Sequence, residues 1–154
     1  MGCAAEVIVL DEVRARQQWK TLRQHLHNRF DQWLDALETQ LQQPEPTLSE
    51  VSEAIRALRP QLTGGVAETI VQHTHVTEQR RTSLSCPTCQ QLLTARGPVR
   101  RRVETLIGGV ELARPYFYCR HCHRGHYPLD DVLGLHPGCL QLDVQQAAVD
   151  LAIE

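Results

Sequence analysis

The chain has 154 residues, 42% hydrophobic and 22% charged, the balance of a folded globular chain rather than a disordered one. Aromatic residues make up only 5%, which excludes a large aromatic core, and no apolar run reaches the roughly 18 residues a membrane helix needs. The net charge of −2 conceals a segregation: residues 1–79 carry 7 basic and 11 acidic groups, residues 80–126 carry 9 Arg against 2 acids, and residues 127–154 carry 5 acids and no Arg or Lys.

Met1-Gly2-Cys3 begins like an acylation signal, but Glu6 stands where that signal wants Ser or Thr. Ala4 to Leu10 is apolar but short, is interrupted by Glu6 and lacks a basic flank, so no signal peptide is expected and the expected location is cytoplasmic. From Glu12 to Gln43 there is no Gly or Pro. There Leu22, Leu26, Phe30, Leu34, Leu37 and Leu41 recur at steps of three and four, which predicts one long amphipathic helix stopped by Pro44 and Pro46. The stripe implies helix packing, with homo-oligomer formation as one use.

Thr47-Leu48-Ser49-Glu50 has the form of a capping box and opens a second helix, with Val51, Ile55, Leu58 and Leu62 on its apolar side. Gly64-Gly65 is expected to end it, and Val66 to Gln79 to form a third, weaker helix. His73 and His75, two apart, do not share a helix face and read as surface residues.

At Arg80 the pattern changes. Residues 99–107 and 110–118 are rich in Val, Ile, Leu, Thr and Tyr, and Gly108-Gly109 between them predicts a β-hairpin turn. Pro115 requires an edge or bulge, since it offers no ladder amide. Residues 141–154 again read as a helix. The expected class is therefore α+β, in three parts: a helical region (1–79), a zinc ribbon (80–128), and a linker with a C-terminal helix (129–154).

Cys86-Pro87-Thr88-Cys89 and Cys119-Arg120-His121-Cys122 bracket the hairpin, with 29 residues between the pairs. Each C-x-x-C turn can offer two thiolates to one tetrahedral ion, and a hairpin returning on itself brings the pairs together as a zinc ribbon. Cys86, Cys89, Cys119 and Cys122 are thus the expected ligands of one structural Zn2+. A rubredoxin-type iron site uses the same ligands, and a redox dithiol is the alternative for either pair alone. His121, His123 and His126 crowd the second pair as replacement ligands, as neighbours of the ligands or as phosphate-facing side chains. A site closed by four thiolates has no open position for catalysis, so its role is to hold a small fold together. Cys3 has no assigned role, and Cys139 reads as a small apolar residue.

Arg96, Arg100, Arg101, Arg102, Arg114, Arg120 and Arg124 lie in or beside the ribbon, and Tyr116 shares a strand face with Tyr118. Alternation puts Arg100 and Arg102 on one face and Arg101 on the other. These arginines and Tyr116 form the expected DNA-contacting set, through phosphate neutralisation and stacking. Charged strands also protect sheet edges from aggregation, which is the structural alternative. Asp130, Asp131, Asp143, Asp150 and Glu154 read as surface or helix-capping acids.

Cys86-Pro87-Thr88-Cys89, the run Arg101 to Val110, Arg114-Pro115-Tyr116-Phe117-Tyr118-Cys119-Arg120-His121-Cys122, Pro128-Leu129-Asp130 and Leu133-Gly134-Leu135 together resemble the N-terminal part of ISKra-group insertion-sequence transposases. The resemblance covers about residues 80–140. It implies a helical and zinc-binding region that precedes a metal-dependent DDE nuclease domain, with the four cysteines as zinc ligands. The sequence departs from the pattern at Gln90 and His123, where Gly usually follows each knuckle, and ends before a DDE domain would begin. The expected function is that of a non-catalytic DNA-binding module, with DNA, a second copy or a DDE-domain chain as partner and no small-molecule substrate. The alternatives are a zinc-ribbon protein-interaction adaptor with a helical dimerisation segment, and the DNA-binding part of a split transposase.

Overall fold

The structure, a computed structural model, describes the backbone of residues 3–153 and the side chains of residues 12–152. Met1 and Gly2 of the acylation-like start, the Cys3 side chain and Glu154 lie outside that range. The fold is α+β and divides into two compact units, Met1–His73 and Thr74–Glu154. No helix among the described residues is long and apolar enough to cross a membrane.

The first unit is an antiparallel pair of helices, α1 (Cys3–Gln40) and α2 (Leu48–Thr74), in which Gln18 meets His73 and Arg29 meets Glu68. α1 starts earlier than the periodicity suggests, because the apolar run before Asp11 contains nothing that breaks a helix. It stops before Pro44, as expected. The capping box forms as read: the Thr47 amide donates to Glu50 Oε2 at 2.7 Å, and the Glu50 amide donates to Thr47 Oγ1 at 3.4 Å.

Gly64-Gly65 does not end α2. The helix runs through both glycines to Thr74, and both are buried. A Cβ on Gly65 would lie 3.0 Å from Nη1 of Arg29 on α1, so the missing side chain makes room for a neighbour instead of a turn. Arg29 also reaches Glu68 at 3.5 Å. The expected third helix is therefore mostly the end of α2. What remains is the short α3 (Val76–Gln79), set off at His75. His73 is half-buried and its ring lies 4.7 Å from that of His25.

The second unit holds an antiparallel sheet in the order β1-β2-β3-β4: β1 (Ser83–Ser85), β2 (Leu92–Thr105), β3 (Gly108–Cys119) and β4 (Arg124–His126). The long β2–β3 hairpin turns at Leu106-Ile107 and not at Gly108-Gly109, because Thr105 pairs with Gly108. Both turn residues keep negative φ, and the left-handed requirement falls on Gly108 at φ 123°. Thr105 Oγ1 donates to the Gly108 carbonyl at 2.7 Å and closes the turn. Pro115 stands opposite Pro98, next to a register shift between Ala95 and Pro98, and β4 pairs only with residues 117–119. Neither proline therefore forfeits a ladder bond to its cross-strand partner, in keeping with the bulge that Pro115 requires.

The hairpin is buried on opposite faces at its two ends. Near the cysteines, Leu93, Phe117, Cys86 and Cys119 form a core against Leu84, Ala95, Cys89 and Cys122. Towards the turn, Val103, Val110 and Leu112 are buried on the other face. There the short helix α4 (Pro128–Leu133) packs on β3 with Leu129 fully buried. The segment beyond it adds a short strand-like contact: the Glu104 amide donates to Cys139 O at 2.8 Å, and the Gln141 amide to Glu104 O at 3.0 Å. Helix α5 (Leu142–Ile153) follows, and Asp143 at its start accepts the Leu106 amide at 3.0 Å. Residues 128–143 thus cover one face of the hairpin and do not act as a free linker.

Candidate metal centre and its basic surround

Two turns of the same design bring the four cysteines together. Cys86 leaves β1 and Cys89 closes the turn into β2, while Cys119 ends β3 and Cys122 sits in the turn before β4. The first turn is fixed by the Cys86 amide donating to Gln91 O at 2.8 Å and the Gln90 amide to Cys86 O at 2.9 Å. In the second, the Cys122 amide points at Cys119 Sγ at 3.4 Å. Gln90 has φ 61° and His123 φ 53°, so each knuckle keeps the left-handed residue that glycine would supply more easily.

All four sulfurs lie within 4.8 Å of one another. The Cys86–Cys122 and Cys89–Cys119 separations are 4.0 and 3.6 Å. A tetrahedral ion with metal–sulfur bonds of about 2.3 Å requires edges of about 3.8 Å, which these values straddle. None of the four is in a disulfide. The donor set therefore fits a metal ion.

The thiol chemistry points the same way. The Cys89 amide directed at its sulfur holds Cys86 down at about 6, against the opposing effect of burial. At Cys122 the neighbouring Cys89 thiol and burial push the other way, to about 12. Cys89 is helped by the Gln91 amide, but burial and the Cys119 and Cys86 thiols leave it raised. Cys86 thus ionises more readily than a free thiol while Cys89 and Cys122 resist, and a cation among the sulfurs would favour the thiolate form.

Of the three nearby histidines, only His126 reaches the cluster, with Nε2 3.7 Å from Cys86 Sγ. That contact suits a hydrogen bond to a ligand sulfur. His121 and His123 are exposed, and His123 Nδ1 lies 3.4 Å from the Tyr118 hydroxyl. Cys139, read as a small apolar residue, is exposed and lies in a segment held through its carbonyl.

The eight expected DNA-contacting residues separate into three groups. Arg101 and Arg114 turn inward and share Asp130 of α4: both donate to its Oδ2, Arg101 at 2.8 Å. Arg114 is 7% exposed and stacks 4.0 Å over the Tyr127 ring, and Arg101 also donates to the carbonyls of His136 and Gly138. These two arginines hold the fold together, and Asp130 is their counter-ion and not the surface acid expected. Tyr116 is likewise packed, its ring 5.0 Å from Tyr127 and above Gly125, where a Cβ would come within 2.7 Å of it.

Arg100 and Arg102 occupy the opposite, exposed face, as alternation requires. Each has an acidic neighbour there: Arg100 meets Glu111 at 2.8 Å and Arg102 meets Glu104 at 2.6 Å. Glu104 and Glu111 are the only acids of residues 80–126, so they neutralise this face.

Arg96, Arg120 and Arg124 form the third group. All are exposed and none makes an ion pair among the described residues. Arg96 lies 5.6 Å over the Tyr118 ring, while Arg120 and Arg124 flank the second knuckle. Sequence reasoning passed over Tyr127 and the internal role of Asp130. The available signal for the latter was Arg101 itself, two residues before buried Val103 on the same strand face and therefore in need of an anion.

Comparison with family models, with curated proteins and with solved structures finds no match.

Proposed function

We propose that residues 74–154 form a zinc-ribbon module that binds DNA through the basic surface of its second knuckle. Zinc is preferred because four thiolates in a closed tetrahedron suit a structural ion with no redox role. Phosphate contact falls to Arg96, Arg120 and Arg124, ribbon cations without an ion pair among the described residues, and Tyr118 offers a ring for stacking beside Arg96. Arg100 and Arg102 are secondary, since Glu111 and Glu104 compete with phosphate for them. The resemblance to the N-terminal part of ISKra-group transposases supports the same role; the proposal concerns binding and assigns no catalytic residue to this chain.

The observation that carries this reading is that three exposed arginines without ion pairs among the described residues, Arg96, Arg120 and Arg124, lie on the strands and turn joined by a metal-ready cysteine set. The test is titration of the zinc-loaded chain against labelled duplex and single-stranded DNA at several salt concentrations. R96A/R120A/R124A should weaken binding and reduce the log–log salt slope by about 2–3, near 0.9 per lost phosphate contact on duplex DNA. R100A/R102A should have the smaller effect. Absence of binding at low salt, or a triple variant with unchanged affinity and slope, refutes the proposal. A second reading, a protein-interaction adaptor, draws on the exposed Leu106 and Ile107 at the hairpin turn, 59% and 49% accessible.

A further inference from the structure

The helical unit buries little for its length. Of its described hydrophobic side chains only Leu22 and Ala54 are buried, while Trp19, Phe30 and Leu34 on α1 stay 66%, 45% and 41% exposed. α1 turns one side to α2, through Leu22 and through Arg29 against Gly65 and Glu68. At about 100° per residue, Trp19, Phe30 and Leu34 fall within about 60° of one another on a second side. That side is an apolar stripe with no cover.

The charges beside the stripe identify what covers it. Arg16 and Arg23 lie on its first half with Lys20 at its margin, and Asp31, Asp35 and Glu38 flank its second half. All six are exposed, and none forms an ion pair among the described residues. Between residues 16 and 38 this side carries three positive charges before His27 and three negative charges after it, so the stretch is complementary to itself when reversed. Superposing the halves about His27 sets Arg16 opposite Glu38 and Arg23 opposite Asp31, and brings Trp19 level with the Leu34–Asp35 step. Arg16, Trp19, Lys20, Leu22, Arg23 and Leu26 also line a groove that runs from the stripe towards buried Leu22, which offers a seat for the partner's Phe30 and Leu34.

We infer that the chain forms a two-fold dimer in which the α1 helices of two copies pack antiparallel along this stripe. The contact is isologous, so each charge pair occurs twice and the assembly closes at two copies. A parallel pairing would set like charges together. The dimer involves only the helical unit and stands or falls independently of the DNA-binding proposal.

Sedimentation velocity of the zinc-loaded full chain under reducing conditions, which prevent crosslinking through exposed Cys139, provides the test. The chain should sediment as a dimer at micromolar concentration. R16E/K20E/R23E and D31K/D35K/E38K should each sediment as monomers with helical circular dichroism unchanged. Mixed one to one, the two variants should return to the dimer mass, because each supplies the charge the other has reversed. A monomeric parent overturns the inference, as do a reversed variant that stays dimeric and a mixture that stays monomeric.

Discussion

Asp130→Ala is the sharpest test of how the second unit is held together. In the parent, one carboxylate oxygen receives both Arg101 and Arg114, whose side chains are 16% and 8% exposed. Removing the carboxylate strands two cations, but unequally. Arg101 retains the His136 and Gly138 carbonyls, whereas Arg114 keeps only the face of Tyr127. Breaking one side of a buried ion pair costs roughly 3–5 kcal/mol, and the surviving ring contact places the expected loss near the lower figure, about 3 kcal/mol. With a urea dependence of about 1 kcal/mol per molar for a unit of this size, the midpoint should fall by about 3 M. All three tyrosines, Tyr116, Tyr118 and Tyr127, lie in this unit and both tryptophans, Trp19 and Trp33, in the other, so tyrosine near-ultraviolet dichroism follows the relevant transition. D130N, which keeps an acceptor and the shape, should lose less. The double variant R114L/D130L should lose less than the two single substitutions summed, because it leaves no orphaned charge on Arg114. A D130A midpoint corresponding to a loss under about 0.5 kcal/mol, the range of an ordinary surface substitution, would refute the assignment.

Two further outcomes concern the knuckles. Gln90→Gly and His123→Gly should each stabilise the zinc-loaded protein by about 0.5–1 kcal/mol, since relief of a left-handed side-chain residue outweighs the added freedom of the unfolded chain; a lower thermal midpoint for both would contradict the geometry. Chelation of the metal, or Cys89→Ser, should lower the tyrosine near-ultraviolet dichroism, chiefly through Tyr118 beside the second knuckle, while helical far-ultraviolet signal from α1 and α2 remains. Retention of the tyrosine signal without metal would show that the small core around Phe117 suffices alone.

Much of this architecture is legible in the sequence because the signals are local. The capping box at Thr47, the helix period from Leu22 and the paired C-x-x-C turns each depend on residues within a few positions, and each forms as read. The glycine pairs mislead for a physical reason. Glycine marks either a backbone that needs positive φ or a neighbour that needs space, and the sequence does not say which. Gly65 leaves space for Arg29, and Gly108 takes the positive φ one residue after the turn where Gly-Gly suggests the corner itself. Asp130 was out of reach because its partners lie 29 and 16 positions away, joined only when α4 folds back on the hairpin.

That folding-back also relocates the basic surface. Counted along the chain, the nine arginines of residues 80–126 look densest at Arg100-Arg101-Arg102. In space this run is the least available: Arg101 is bound within the unit, and its neighbours face the segment's only two acids. Three of the remaining cations, Arg96, Arg120 and Arg124, lie towards the end of the hairpin whose backbone is set by the cysteine cluster. Metal binding and charge presentation are then coupled by construction. Loss of the ion would release the turn that carries Arg120 and Arg124, while the Arg101–Asp130–Arg114 contact would remain at the other end. If the proposed DNA-binding role holds, a chelated protein should therefore lose DNA affinity even where hairpin contacts with α4 persist. The arginines by themselves confer charge, and the ordered knuckle gives that charge a defined geometry.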